Sequence, residues 1–399
     1  MVVALIFDTT NSDLDLFFWP SAQIAAHGHP LLVYAVRAGT IPNDNGPLSL
    51  IPLTGVVAVA DLLGWQDSIR LRAALTLGVF AVFSLLLAVE AVRAVEAGRG
   101  RMTHRLWASS VFLLAPPLWM AVADFGHMEQ PLDLWLVLVG VRILGRGGTV
   151  RSGLLLGLAG LTRTVSLICL VPLTLLLLRS GRPRSAAALA GTTAATCAAG
   201  LLPFYLADRQ DLLYSLVTNR GSLPIDGGSL WLWVRGASWA GLVQHGDAVL
   251  FTAAAIALCA AALWRRPAAA CTPQRLYGLL AVAAACILML AKTTWAYYVL
   301  DVYVFAAIWW LGRPGRLLTW RVLAPLLVAA GTLLATETVA LPPAALNVVV
   351  GVAASLGMAA VIGVILGDWF RDGGSPDPAG PRAFLEPPAE PLGAPAPAP

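Results

Sequence analysis

RGGTVRSGLLLGLAGLTRTVSLICLVPLTLLLLRSGRPR, residues 146–184, decides the fold. Its centre is a 27-residue apolar run, 152–178, with arginines at both ends: Arg146 and Arg151 before it, Arg179, Arg182 and Arg184 after it. About 20 apolar residues suffice to cross a bilayer, and arginines collect on the cytoplasmic side. A segment with two cytoplasmic ends reads as a hairpin of two half-helices, with Thr162-Arg163-Thr164 at its tip. One long tilted span is the alternative. Irregular backbone at such a tip is tolerated only under protein or beside a wet cavity.

The same sorting of charge runs through the chain. Only 12% of the 399 residues are charged and 58% are hydrophobic, so no soluble domain large enough to stand alone remains. Arginines cluster at 93–105, 142–151, 179–184, 265–275 and 313–321. Acids and histidines crowd the alternate connections: Asp8, Asp13, Asp15, His27, His29 and Asp44, then Asp124, His127 and Glu129. This implies a multi-pass protein of the cytoplasmic membrane, with its acidic chemistry on the outer face and its tail in the cytoplasm. The net charge of +4 comes from cytoplasmic arginines and gives no reason to expect nucleic acid. Five cysteines lie in or beside apolar runs at spacings that fit neither a metal site nor a disulfide framework. The Arg- and Ala-rich composition suggests a GC-rich, bacterial coding sequence.

The fold expected is an all-α transmembrane bundle of about 9–11 membrane helices, with re-entrant half-helices and outer juxtamembrane helices. Full spans read at 72–95, 106–123, 131–145, 186–206, 248–264, 276–291, 296–312, 318–336 and 345–367. The run 48–64 is re-entrant or peripheral, because a full crossing there would put the Arg93–Arg105 loop outside. Residues 1–370 form one membrane domain. Met1–Phe7 is too short to span and has no basic segment before it, so a clipped first helix is expected. The tail 371–399 carries nine prolines in 29 residues and is expected to be disordered.

Four constellations carry candidate chemistry. Pro20 suits the first turn of a short helix and Gly28 its end. Residues 13–19 then read as extended, with Asp13 and Asp15 on one face. Such a pair can hold a divalent cation, magnesium or manganese, or serve as a base; a solvated loop is the bland reading. The turn Asp124-Phe-Gly-His127-Met-Glu129-Gln130-Pro131 places two acids and an imidazole between apolar spans, where polar groups are costly. Arg163 is a charge within an apolar run; a structural arginine paired to an acid is the alternative. Lys292, the one lysine of the chain, precedes Trp295, Tyr297 and Tyr298 at the outer end of a span; a snorkelling lysine beside an aromatic belt is its bland reading. The outer segment 207–247 is too long for a plain connector. Its Gly227-Gly-Ser-Leu-Trp231-Leu-Trp233 reads as an interfacial anchor or as a groove for sugar or lipid.

Together these residues resemble the type-C glycosyltransferases, polytopic enzymes that take sugars from polyprenyl-phosphate donors, and among them the mannosyltransferases. The resemblance covers about residues 8–310. It rests on Asp13 and Asp15, Gly28-His-Pro30, Asn43-Asp-Asn-Gly-Pro47-Leu, the Gly126-His127 turn, Gly157-Leu-Ala-Gly-Leu-Thr-Arg163, and Lys292 before Trp295 and Tyr298. It implies that Asp13 or Asp15 is the catalytic base. The reaction expected is an inverting single displacement onto a glycan, lipid or protein hydroxyl. Asp124, His127, Glu129, Arg163, Lys292 and Tyr298 are the expected substrate-binding residues. Lys292, Arg163 or a divalent cation would offset charge on the departing phosphate. Two rivals stand: a transporter of lipid-linked sugars, and a non-catalytic partner in a glycan-assembly complex.

Overall fold

Apolar helices, joined where proline, glycine and arginine interrupt them, build the protein. The computed structural model describes residues 13–35, 43–65, 68–99, 105–121, 126–312, 324–332, 344–371 and 384–385. The expected clipped first helix and most of the tail lie outside the described residues. In chain order the helices are α1 (Trp19–Ala26), α2 (Leu50–Leu62), α3 (Ile69–Arg99), α4 (Arg105–Leu113), α5 (Pro116–Trp119), α6 (Glu129–Gly145), α7 (Thr149–Thr162) and α8 (Leu170–Arg179). Then come α9 (Pro183–Ala207), α10 (Arg209–Leu213), α11 (Arg220–Ser222), α12 (Ala240–Trp264), α13 (Pro273–Leu290), α14 (Val299–Leu311), α15 (324–332) and α16 (Ala344–Arg371). Strands β1 (Asp226–Gly227) and β2 (Thr293–Thr294) pair in parallel. The chain is an all-α bundle. Among the described residues five helices are long and apolar enough to cross a membrane: Arg70–Gly98, Pro183–Ala207, Ala240–Trp264, Pro273–Leu290 and Val348–Phe370.

The α13–α14 hairpin is the core. In the most apolar window of α13, 78% of residues are buried, against 11% in α9, so α9 presents its apolar surface outward. Every residue of α14 except Asp301 is buried. Helices α3, α12 and α16 pack around this hairpin.

The 149–179 segment reverses direction at Arg163. Helix α7 packs on α9 in parallel: Thr193 Oγ1 donates to the Gly153 carbonyl at 3.1 Å, and Cys197 Sγ to that of Gly157 at 3.4 Å. Small residues permit this approach; a Cβ on Gly153 would come 2.8 Å from the Thr192 Cβ. Since α8 returns to α9 through the tight turn at Ser180–Arg182, the start of α7 and the end of α8 share one end of the bundle. Arg163 itself is extended (φ −139°, ψ 117°), separating α7 from the 3-10 turn Thr164–Cys169.

Arginines define the opposite end from this tip. Arg142 and Arg93 both bind the buried Glu90, the latter at 3.2 Å. Arg105 forks onto Glu96 at 2.6 and 2.8 Å. Arg179 donates to the carbonyls of Leu263 and Arg266, both at 3.3 Å. Helix α2 starts beside the Leu161 backbone, where Gly46 packs, and Asp61 near its end meets His27 at 3.2 Å. With the turn before it, Pro47–Leu62 is a shorter apolar helix, outside the five long enough to cross a membrane.

Of the nine full spans expected, 131–145 and 296–312 fall in helices outside the five long and apolar enough to cross, and 318–336 is described only at 324–332. Residues 106–123 do not make one helix: α4 stops at Leu113 and α5 begins at Pro116. Proline disfavours helical backbone in the residue before it, and Ala115 is accordingly non-helical (φ −59°, ψ 122°).

Candidate functional site

The acidic connections and the 161–164 tip meet at one end of the bundle. The first contribution comes from a correction to the expected extended segment. Leu14–Phe18 is a π-turn running directly into α1, and Asp13 before it already has helical dihedrals (φ −55°, ψ −24°). The alternation that would pair Asp13 with Asp15 is absent. The reason is packing: Leu14 and Phe18 are both buried, Leu14 against Gly126 and Phe18 edge-on to His127 with ring centroids 5.3 Å apart. Pro20 does lie in the first turn of α1, and Gly28 follows its end with φ +91°, a left-handed value that favours glycine.

Asp13 belongs to a carboxylate–imidazole–carboxylate chain. Its Oδ2 lies 2.9 Å from His127 Nε2, and His127 Nδ1 bonds Glu129 Oε1. The imidazole stacks on Tyr297, centroids 4.0 Å apart at 28°. Gly126 (φ +72°) supplies the left-handed residue that turns the chain into α6. Glu129 opens that helix, where backbone N–H groups favour an anion. Side-chain exposure is 7% at His127, 3% at Glu129 and 28% at Asp13, so Asp13 is where this chain reaches solvent. Burial lowers the pKa of His127, but Glu129 and Asp13 outweigh it and hold the imidazole up at about 9. It is an imidazolium at neutral pH.

A second charged group lies beneath. Arg163 Nη1 reaches Asp301 Oδ1 and Oδ2 at 3.2 and 3.3 Å and Asp133 Oδ2 at 3.5 Å. Ser166 donates to the same Asp133 oxygen. Gln130 Nε2 donates to the Tyr297 carbonyl at 2.9 Å and to Asp301 at 2.8 Å, tying α6 to α14. Arg163 is 4% exposed, and its guanidinium stands over the Tyr298 ring at 5.7 Å. Arg163 thus pairs with two acids inside the bundle, as the structural alternative expected.

Lys292 lies at the same end, but its ammonium is committed. It donates to the carbonyls of Gly221 at 2.8 Å and Gln244 at 2.7 Å, and its backbone N–H donates to Asp247. Burial lowers its pKa, Asp247 opposes the shift, and Arg220 adds to it. Lys292 is a strut that holds the 207–247 segment against the α13–α14 connection, where β1 meets β2. Arg220 points into the site instead, with Nη1 donating to Thr164 Oγ1 at 2.6 Å. No other hydrogen-bond partner of its side chain occurs among the described residues.

The structure therefore brings together Asp13, His127, Glu129, Arg163 and Tyr298. Asp124 lies outside the described residues, as does the side chain of Asp15. Asp133, Asp301, Gln130, Tyr297 and Arg220 join the site without having been expected there. Asp133 and Asp301 each interrupt an apolar run, which is itself a signal of function. Among the described residues no group of three or more His, Cys, Asp or Glu side chains is placed to hold a metal ion. Asp13, the proposed half of a cation-binding pair, instead receives His127. Comparison with known proteins finds no matching family model and no matching curated protein.

Proposed function

We propose that the chain is an integral-membrane glycosyltransferase acting on the outer face of the cytoplasmic membrane. It moves a hexosyl group, mannosyl by the sequence resemblance, from a polyprenyl-phosphate donor to an acceptor hydroxyl. One observation carries this reading: a partly exposed carboxylate, Asp13, is held by a buried imidazolium at the bundle end that also holds Arg163 and Arg220. A donor carried in the bilayer suits a site at that level.

Asp13 accepts the proton of the acceptor hydroxyl as its oxygen attacks the anomeric carbon. The anomeric C–O bond breaks, and its electron pair leaves on the phosphate. His127, buttressed by Glu129 and Tyr297, fixes the carboxylate in place. Arg220, whose guanidinium has only Thr164 as a partner among the described residues, offsets charge on the leaving phosphate. This moves the role first given to Lys292 onto Arg220. Arg163 keeps the tip beneath in register.

The test is transfer from labelled polyprenyl-phosphate mannose to glycan, lipid and protein acceptors. Asp13→Asn is expected to lower turnover about a hundredfold to ten-thousandfold with the protein still present in the membrane. Wild-type turnover in that variant would remove Asp13 from the mechanism. Label crossing the bilayer without transfer to any acceptor would favour the transporter.

A further inference from the structure

The loop Asn43–Gly46 carries a carboxylate onto the same tip as Arg220. The loop is fixed at three points. Asn43 Oδ1 accepts the Asn45 N–H at 3.1 Å, Tyr34 Oη donates to the Asn45 carbonyl at 2.9 Å, and Gly46 packs on the Leu161 backbone, three residues before Thr164. Tyr34 is in turn held by Ser215, whose Oγ donates to its carbonyl at 3.3 Å. Arg220 and Asp44 are thus both rigidly mounted over residues 161–164.

Asp44 is half-buried, and no hydrogen bond or ion pair joins it to any described residue. Burial works against the Arg220 charge, and the Asp44 carboxylate is the first group to support it. The charge of Asp44 also reaches Tyr298. The Asp44 carboxylate acts on the Arg220 guanidinium at the tip without closing into a pair with it. One side chain offers acceptors and the other donors.

A phosphate cannot sit against Asp44, because like charges repel. A group bonded next to that phosphate can, provided it is neutral and donates hydrogen bonds. Resting on the reading that a sugar phosphate binds here, we infer that Asp44 is the residue that grips the hydroxyls of the transferred hexosyl group. Arg220 takes the phosphate beside it. An ionised carboxylate accepts up to about four hydrogen bonds and can hold two neighbouring hydroxyls at once. The two side chains together then measure whether a sugar is attached to the lipid phosphate.

The test compares binding of polyprenyl-phosphate mannose and of sugar-free polyprenyl phosphate to the full chain in lipid nanodiscs. Wild-type protein is expected to bind both. Asp44→Asn should keep its affinity for polyprenyl phosphate and lose about tenfold to a hundredfold for the mannosyl donor, as for a lost hydrogen bond to a charged acceptor. Arg220→Gln should weaken both. Asp44→Ser repeats the measurement if the asparagine variant does not accumulate. Equal losses on the two lipids, or none on either, would overturn the role of Asp44 and leave the transferase reading intact. Wild-type protein that binds neither lipid would overturn the transferase reading, and this inference with it.

Discussion

Replacing His127 with glutamine isolates the buried imidazolium. The glutamine amide fills similar space and can still hydrogen-bond, but it carries no charge. In the folded chain His127 holds its proton up to about pH 9, because Asp13 and Glu129 flank it at both ring nitrogens. In the unfolded chain it lets go near 6.5. At 1.36 kcal/mol for each tenfold change in proton affinity, this pKa of about 9 corresponds to about 3 kcal/mol of stability. The sign follows from the raised value. The contribution is complete below pH 6.5, declines as pH rises, and is gone above pH 9. Thermal unfolding followed by the fluorescence of the 14 tryptophans reads it directly. The wild-type melting temperature should exceed that of His127→Gln at pH 6, and the two should converge by about pH 9.5. Taking the difference removes the contribution of titrating groups not coupled to His127; Asp13 and Glu129 titrate with it. Parallel curves from pH 6 to 9.5 would show that His127 is not charged in the folded protein, and Asp13 would lose its anchor.

Two further outcomes follow from the site geometry. Arg163→Met leaves the fully buried Asp133 without its guanidinium, which should cost about 3–5 kcal/mol. Asp133→Asn on that background should restore part of the loss, and a wild-type melting temperature in the single variant would refute the pairing. Lys292→Met removes the bonds to the Gly221 and Gln244 carbonyls. It should lower the melting temperature and reduce donor and acceptor use by the same factor. A raised donor KM at unchanged stability would return Lys292 to the phosphate.

The bundle was legible because its helices are written in long apolar runs and its turns in proline, glycine and arginine. The reversal at Arg163 follows from arginine placement alone. The break before Pro116 was missed, with 106–123 expected as one span, although Pro116-Pro117 cannot continue a helix without losing backbone bonds. The segment 13–19 was not legible. Leu14, Leu16 and Phe18 alternate as a strand would, while Leu14, Phe17 and Phe18 have helical spacing. A short apolar stretch fits both periods. The choice is made by Gly126 and His127, more than a hundred residues away. The pairing of Arg163 with Asp133 and Asp301 was likewise out of reach. Each charge is conspicuous in its own run, but which helices are neighbours is not encoded at any single position.

Partners, more than residue type, separate the arginines of this chain. Those at the end away from the tip lie on backbone carbonyls or on Glu90 and Glu96, with long stems that reach the surface; Arg93 and Arg105 are each 59% exposed. Arg105 can be replaced at small cost, because water takes over its hydrogen bonds. Arg163 has no access to water and is held between two carboxylates. A buried ion pair of this kind gives little net stability over an apolar substitute, so stability alone does not explain it. It does fix the tip on which Thr164 and Arg220 meet, beneath the loop that carries Asp44. An arginine paired inside the bundle, at the end that holds a partly exposed acid and a second arginine bonded only to Thr164 among the described residues, is the foundation of a polar site. On this argument, exchanging Arg163, Asp133 and Asp301 together for apolar residues should leave the bundle folded and still remove its chemistry.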